Sequence, residues 1–309
     1  MERPSPSSPG LIPVVLNSTA GKGYTQEQQD ELRQWFADAG IAVEIHAASR
    51  GEEIVDLTRR ALTRNPRFIV AAGGDGTVSA VASCVRGKNI PMAVLPAGTL
   101  NHFARDLGIP ADAKEAIAAI AKGQPVGVDL GEVNDRPFIN NASLGIYPDI
   151  VRDRVRQQRR LGRGKYWAML WATLAVMKRS PFLSLTMEID GKPVQCRSPF
   201  VFIGNNDYVM EGFSIGTRSS LRDGKLSIYT TQRRTRGGLV RLAFRALLGR
   251  LSQAKDFAVN SASSVSIDSK RRYMLVATDG EVTAMEPPLN FRVLPGALSV
   301  ILPPRKEAA

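Results

Sequence analysis

Cysteine and histidine are nearly absent from this chain of 309 residues, which holds only Cys84 and Cys196, His46 and His102. The two cysteines lie far apart, sit in apolar surroundings and match no metal-ligand spacing. They read as reduced thiols, and a cytoplasmic compartment is the expectation. A zinc centre or a Ser-His-Asp triad would consume almost every histidine, so carboxylates are better candidates for the chemistry. Long apolar runs are missing too. No stretch approaches the ~18 residues of a membrane-spanning helix, and Arg3 to Pro9 mixes Pro and Ser without the apolar segment of a signal peptide. Neither a G-x-G-x-x-G dinucleotide fingerprint nor a Walker loop occurs, since Lys22 is followed by Gly23 rather than Ser or Thr.

What is present is an ordinary globular composition, 43% hydrophobic and 23% charged, over a length that exceeds one typical domain. Two domains are expected, residues 1–125 completed by about 295–309, and residues 126–294. The net charge of +12 is concentrated. Residues 151–180 carry nine Lys/Arg against one Asp, and residues 232–255 carry seven against no acid. Arg152 to Lys165 and Lys178-Arg179 flank the apolar run Tyr166 to Met177. Arg241 and Arg245 stand one helical turn apart among Leu239, Leu242, Ala246 and Leu247. Basic residues interleaved with bulky apolar ones suit an anionic membrane surface better than nucleic acid, whose binders more often spread charge over a face with stacking aromatics. The competing reading makes Trp167, Leu170, Trp171 and Leu174 core or dimer contacts.

The first half alternates. Leu11 to Leu16 reads as a strand, Gln26 to Ala39 as a helix, Ala42 to His46 as a strand, Gly51 to Arg64 as a helix and Arg67 to Ala72 as a strand. Val78 to Val85 then reads as a helix, Met92 to Leu95 as a strand and Ala111 to Ala121 as an amphipathic helix. This order predicts a parallel sheet with helices on both faces and ligands at the loops beyond the strand C-terminal ends. From about Val126 the pattern becomes short strands: Phe138 to Asn141, Leu183 to Ile189, Val201 to Gly204, Leu226 to Tyr229, Val265 to Ile267 and Leu275 to Ala277. Turn signals such as Asp190-Gly191 and Asp223-Gly224 divide them. The last run, Ala297 to Leu302, could rejoin the first sheet.

Three small-residue loops follow strands of that sheet: Asn17 to Gly23, Gly73-Gly74-Asp75-Gly76-Thr77, and Pro96-Ala97-Gly98-Thr99-Leu100-Asn101. Glycines let backbone N–H groups approach an anion closely, and a following helix adds its positive end, so each loop can cradle phosphate. Asp75 then needs a purpose there, such as a ribose, a bound Mg²⁺ or a hydroxyl to be deprotonated. The plainer reading is a tight turn with Asp75 as helix N-cap.

The Gly73 to Thr77 loop, Pro96 to Arg105 and the late Asp279-Gly280-Glu281 stand in an order and spacing that resembles the diacylglycerol kinase catalytic domain family, which includes sphingosine and ceramide kinases. Asn17 to Gly23 looks like that family's opening loop, Phe138 to Gly145 like its domain-crossing segment, and Leu294 to Leu298 like its closing strand. The resemblance implies an α/β nucleotide domain with an NAD-kinase/phosphofructokinase-like parallel sheet, a β-rich C-terminal domain, and ATP phosphates in the cleft between them. It implies an ATP-dependent lipid kinase that transfers the γ-phosphate to a lipid hydroxyl. Asn17, Gly21, Gly23, Gly73, Gly74, Asp75, Gly76, Thr77, Gly98, Thr99, Asn101 and Glu281 would meet nucleotide. Asp279 looks like the general base, Glu281 like a partner for ribose or metal, and Asp75 like the carboxylate that organises Mg²⁺-ATP, with a catalytic part assigned to it in some relatives. Phosphoryl transfer needs little beyond positioning, charge neutralisation and one placed base.

Two departures stand out. The family's Asn-Asp-Phe is Asn101-His102-Phe103 here, which removes an acid and leaves His102 to cap or face solvent. The acid pair that holds a structural Mg²⁺ in many bacterial members reads Arg222-Asp223. A guanidinium beside a dication is repulsive, so an Asp223 metal site is expected to be absent, weak or replaced by an Arg222 contact. The alternatives are an NAD kinase-like enzyme, which shares the Gly-Gly-Asp-Gly-Thr loop, and a non-catalytic module binding membrane or nucleic acid. A homodimer through the β-rich domain is a further expectation from the family likeness.

Overall fold

A computed structural model describes residues 10–21, 23–146, 148, 182–209, 217–218, 220–231 and 257–303. The basic segments 151–180 and 232–255, and Lys22, lie outside the described residues. The chain divides into two compact units, Met1–Val128 with Gly296–Ala309, and Asp129–Pro295.

The first unit is built from β1 (Ile12–Asn17), α1 (Gln26–Asp38), β2 (Val43–Ala48), α2 (Glu53–Leu62), β3 (Ile69–Gly73), α3 (Asp75–Val85), β4 (Met92–Pro96), α4 (His102–Asp106) and α5 (Ala113–Ala121). Two strands shared in sequence with the second unit, β5 (Gln124–Val133) and the last strand (Leu289–Leu302), complete the set. The strands β2-β1-β3-β4 lie side by side in that order, all parallel, and Val300 of the last strand pairs in parallel with Met92 of β4. The final run therefore does return to the first sheet. Every residue of β3 and β4 is buried, as expected of parallel strands covered on both faces. Thr25 starts α1 with a full capping box on Gln28, and the helix buries Leu32 and Phe36, so local chemistry and core packing agree. Helix α3 starts three residues earlier than periodicity suggested. Its N-cap is Gly74, not Asp75, and no side chain caps it.

The second unit adds β6 (Arg136–Phe138), β7 (Asn141–Gly145), β8 (Leu183–Ile189), β9 (Lys192–Ser198), β10 (Phe200–Asn205), β11 (Tyr208–Val209), β12 (Thr217–Arg218) and β13 (Leu226–Thr231). It continues with β14 (Phe257–Ala262), β15 (Ser264–Asp268), β16 (Met274–Thr278), β17 (Glu281–Met285) and β18, the Leu289–Leu302 strand. One antiparallel sheet runs β14-β13-β10-β7-β16-β17, while β15 pairs with β8 and with the first half of β18, and β8 with β9. Leu144, Val201, Ile203, Ile228 and Val276 of the first sheet share one apolar cluster with Leu185, Met187, Val265, Ile267 and Phe291 of the other set. This is the two-layer arrangement of a β-sandwich. Strand β8 shows why: Leu183, Leu185 and Met187 are buried and the residues between them are exposed, the period-two signature of a one-sided strand.

Two expectations are corrected here. Phe138 to Asn141 is not one strand, because Ile139 and Asn140 break it into β6 and β7. The segment Phe138 to Gly145 lies wholly inside the second unit rather than crossing between domains. Neither Cys84 nor Cys196 is in a disulfide, and both are half-buried.

Candidate active site

In the first unit, β1, β3 and β4 are adjacent and point the same way, so the loops that follow them leave from the same end of the sheet. Their backbones touch. A methyl group on Gly98 would lie 2.5 Å from Gly74 Cα, and one on Gly21 would lie 2.7 Å from the Ala97 carbonyl oxygen. Gly21 and Gly23 also have left-handed backbones, φ +61° and +85°, which favours glycine at both. At Gly73 an added carbon would collide with the Thr77 side chain.

The side chains tie the loops further. Asn17 donates from Nδ2 to Thr77 Oγ1 at 3.4 Å and accepts at Oδ1 from the Thr19 N–H and hydroxyl. Asn101, with φ +47°, grips its own loop: Oδ1 accepts from Gly98 N and Nδ2 donates to Gly98 O, both at 2.9 Å. Asp75 Oδ1 accepts from the Phe103 N–H at 3.2 Å and so links α3 to α4. Thr77 is buried, whereas Gly76 and Thr99 are exposed. His102 Nδ1 lies 3.1 Å from an Arg105 guanidinium nitrogen. The uncapped start of α3 leaves first-turn N–H groups and the positive end of the helix dipole at this cluster, a ready anion site.

In the second unit, Asp279 and Gly280 form the two-residue turn between β16 and β17, with φ +48° and +88°. Positive φ at both positions is the geometry of a tight hairpin turn that matches strand twist. Asp279 does more than turn the chain. Its Oδ2 accepts from Ile139 N at 2.8 Å, its Oδ1 from Asn140 N at 2.8 Å and Asn141 N at 3.2 Å, and its own N–H donates to Asn141 O. The break between β6 and β7 is what turns those amides toward the carboxylate. Glu281 stands at the surface, 70% exposed, and accepts from Arg136 Nη2 at 2.8 Å.

Comparison with known proteins places these features in a lineage. The model of the diacylglycerol kinase catalytic domain matches residues 12–133, and that of the YegS C-terminal NAD kinase beta sandwich-like domain matches residues 144–302. The chain belongs to the family that joins these two domains. A diacylglycerol kinase of Bacillus subtilis is 28% identical over 300 residues, covering 95% of this chain and 96% of that protein. One of Staphylococcus carnosus is 26% identical over 294 residues, 94% of each. A solved chain from Bacillus anthracis superposes with a TM-score of 0.74 at 23% identity, covering 95% of this chain and 98% of that one, a likeness of fold.

At the expected structural metal position of this family member, Asp223 is exposed and its N–H donates to Asn206 Oδ1 at 3.0 Å, while Arg222 N donates to Ser220 Oγ. Nearby, Lys225 Nζ lies 2.6 Å from Asp207 Oδ2. Among the described residues no group of three or more His, Cys, Asp or Glu side chains could hold a metal. Among them, no helix is long and apolar enough to cross a membrane.

The sequence offered little sign of what supports the Asp279 turn. Asn140 and Asn141 inside an apolar run were a usable signal, since asparagine is depleted in strands. Arg218, Tyr208 and Asn205, which hold Ile139 and Asn140 from the other side, carried none.

Proposed function

We propose that this protein is a lipid kinase that moves the γ-phosphate of ATP to a lipid hydroxyl, diacylglycerol or a sphingoid-like alcohol. The observation that carries the nucleotide half is the convergence of three glycine loops on the uncapped start of α3. Backbone N–H groups there suit the phosphates, and Gly21, Gly23, Gly73, Gly74, Gly76 and Gly98 permit close approach. Asn17, Thr77 and Asn101 hold the loops in shape, and Thr99 is exposed beside them. The acceptor reading is supported by curated relatives named diacylglycerol kinase that match nearly end to end.

In the reaction the lipid oxygen bonds to the γ-phosphorus, the bond to the β–γ bridging oxygen breaks, ADP leaves and a carboxylate takes the hydroxyl proton. Asp279 is the first candidate for that carboxylate, on the family likeness. Three amides already engage its two oxygens, however, and Glu281 is far more exposed, which favours a second reading: Asp279 holds the turn and Glu281 accepts the proton. Mg²⁺ would enter with the nucleotide. It binds through one or two carboxylates plus phosphates and waters, and Asp75 beside the α3 N-terminus fits that donor set. The basic segments 151–180 and 232–255 would carry the enzyme to an anionic bilayer as a peripheral, cytoplasmic protein.

The test is transfer of label from γ-labelled ATP with Mg²⁺ into detergent-dispersed diacylglycerol, sphingosine and ceramide. NAD is included as a competing acceptor, because the matched C-terminal domain is NAD kinase beta sandwich-like. Label in a lipid supports the proposal, and label in NAD alone overturns it. Glu281→Gln with near-normal turnover would return the base to Asp279, whereas turnover lost with ATP affinity retained assigns it to Glu281.

A further inference from the structure

Arg218 is 7% exposed, and a buried guanidinium is costly unless its donors are satisfied. Its donors meet the backbone behind the Asp279 turn. Nη1 donates to Ile139 O at 2.7 Å and to Asn205 O at 3.3 Å, and Nη2 donates to Asn140 Oδ1 at 2.8 Å. The guanidinium also lies 5.3 Å from the centre of the Tyr208 ring. The peptide unit joining Ile139 and Asn140 is thus held at both ends, its carbonyl by Arg218 and its N–H by Asp279 Oδ1. A cation at the carbonyl end and an anion at the amide end both align with the peptide dipole, and each strengthens the bond the other makes. Tyr208 Oη donates to Asn140 O at 2.9 Å, and Asn205 Nδ2 adds a second donor to Ile139 O at 3.0 Å, so this carbonyl and the next are both held.

From this arrangement we infer that Arg218 is a positioning residue for phosphoryl transfer. Acting through the Ile139–Asn140 peptide, it presents the Asn140 amide to Asp279, between those of Ile139 and Asn141, and so sets the Asp279-Gly280-Glu281 turn. The inference rests on the kinase reading above. It requires that loosening Arg218 impair the chemical step while the nucleotide loops, which belong to the other unit, keep their grip on ATP.

Two substitutions test this. Arg218→Lys keeps the charge but loses the two-point grip on Ile139 and Asn140. Tyr208→Phe removes a single hydrogen bond to the same corner and is the milder variant should the first fail to fold. For Arg218→Lys, kcat for lipid phosphorylation should fall about tenfold or more, as loss of preorganisation does, with the KM for ATP within about twofold of wild type. Tyr208→Phe should give a smaller loss of the same kind. Amide hydrogen exchange should speed up over residues 138–142 and not in the first unit. Unchanged kcat in a folded variant, or a rise in the KM for ATP matching the fall in kcat, overturns the inference. If the wild type itself transfers no phosphate to lipid, the kinase reading fails, and exchange alone judges the relay: Asp279→Asn and Arg218→Lys must deprotect the same amides, and if they deprotect different ones the relay is wrong.

Discussion

Gly76→Ala separates a folding role from a binding role at a single atom. Gly76 is the second residue of α3, and a methyl group there would meet no atom within 4 Å. The empty protein therefore accommodates it without strain. Alanine in place of glycine in a helix, with less chain entropy to lose on folding, should raise stability by about 0.5–1 kcal/mol. With ATP the sign reverses. If phosphate oxygens lie against the first-turn N–H groups of α3, the methyl stands in their way, and losing one hydrogen bond to a charged group costs about 1.5–3 kcal/mol. The corresponding loss of affinity is between about ten- and a hundredfold. Urea titration followed by circular dichroism reads the first effect, and calorimetric titration with a non-hydrolysable ATP analogue and Mg²⁺ reads the second. A variant that gains stability yet binds the analogue like wild type would refute the placement of phosphate at α3. One that loses both together would show that the methyl disturbs the fold.

Three further outcomes follow from the same geometry. Gly98→Ala puts a carbon 2.5 Å from Gly74 Cα, where carbons normally stay about 3.5–4 Å apart. The two loops must separate, and the expected result is a loss of about 1–3 kcal/mol of stability together with weakened ATP binding, checked by the same two titrations. Asp190 is held below its ordinary pKa by hydrogen bonds from Ser264 and Ser263. Its depressed folded-state value means that it stabilises the fold above its unfolded value of 3.8, and this contribution is lost as pH falls through the folded value. Asp190→Ala should therefore lower the urea midpoint at pH 7 and narrow its gap to wild type in acid; an equal gap at both would contradict the assignment. Replacing Arg241 and Arg245 by Glu should weaken sedimentation with anionic liposomes and leave binding to neutral liposomes unchanged, and undiminished anionic binding would remove this segment from the membrane reading.

The alternation of apolar runs with helical periods from Leu11 to Ala121 was enough to name a parallel sheet and the three loops beyond it, because periodicity records which face each residue turns to the core. Asp190-Gly191 likewise announced its hairpin, since a two-residue turn with positive φ selects such residues by local sterics. Tertiary structure decided what those loops and turns do. Gly74 rather than Asp75 is the N-cap of α3, which leaves the Asp75 carboxylate to accept from Phe103 N. The run Phe138 to Asn141 has strand composition, yet it breaks where the amides at its centre meet Asp279, 140 positions further along the chain from Ile139. Arg218 gave no local sign of its place behind that corner. Local preferences are written in neighbouring residues, whereas a buried charge and its distant partners meet only after the strands have paired, and such meetings leave no periodic trace in the sequence.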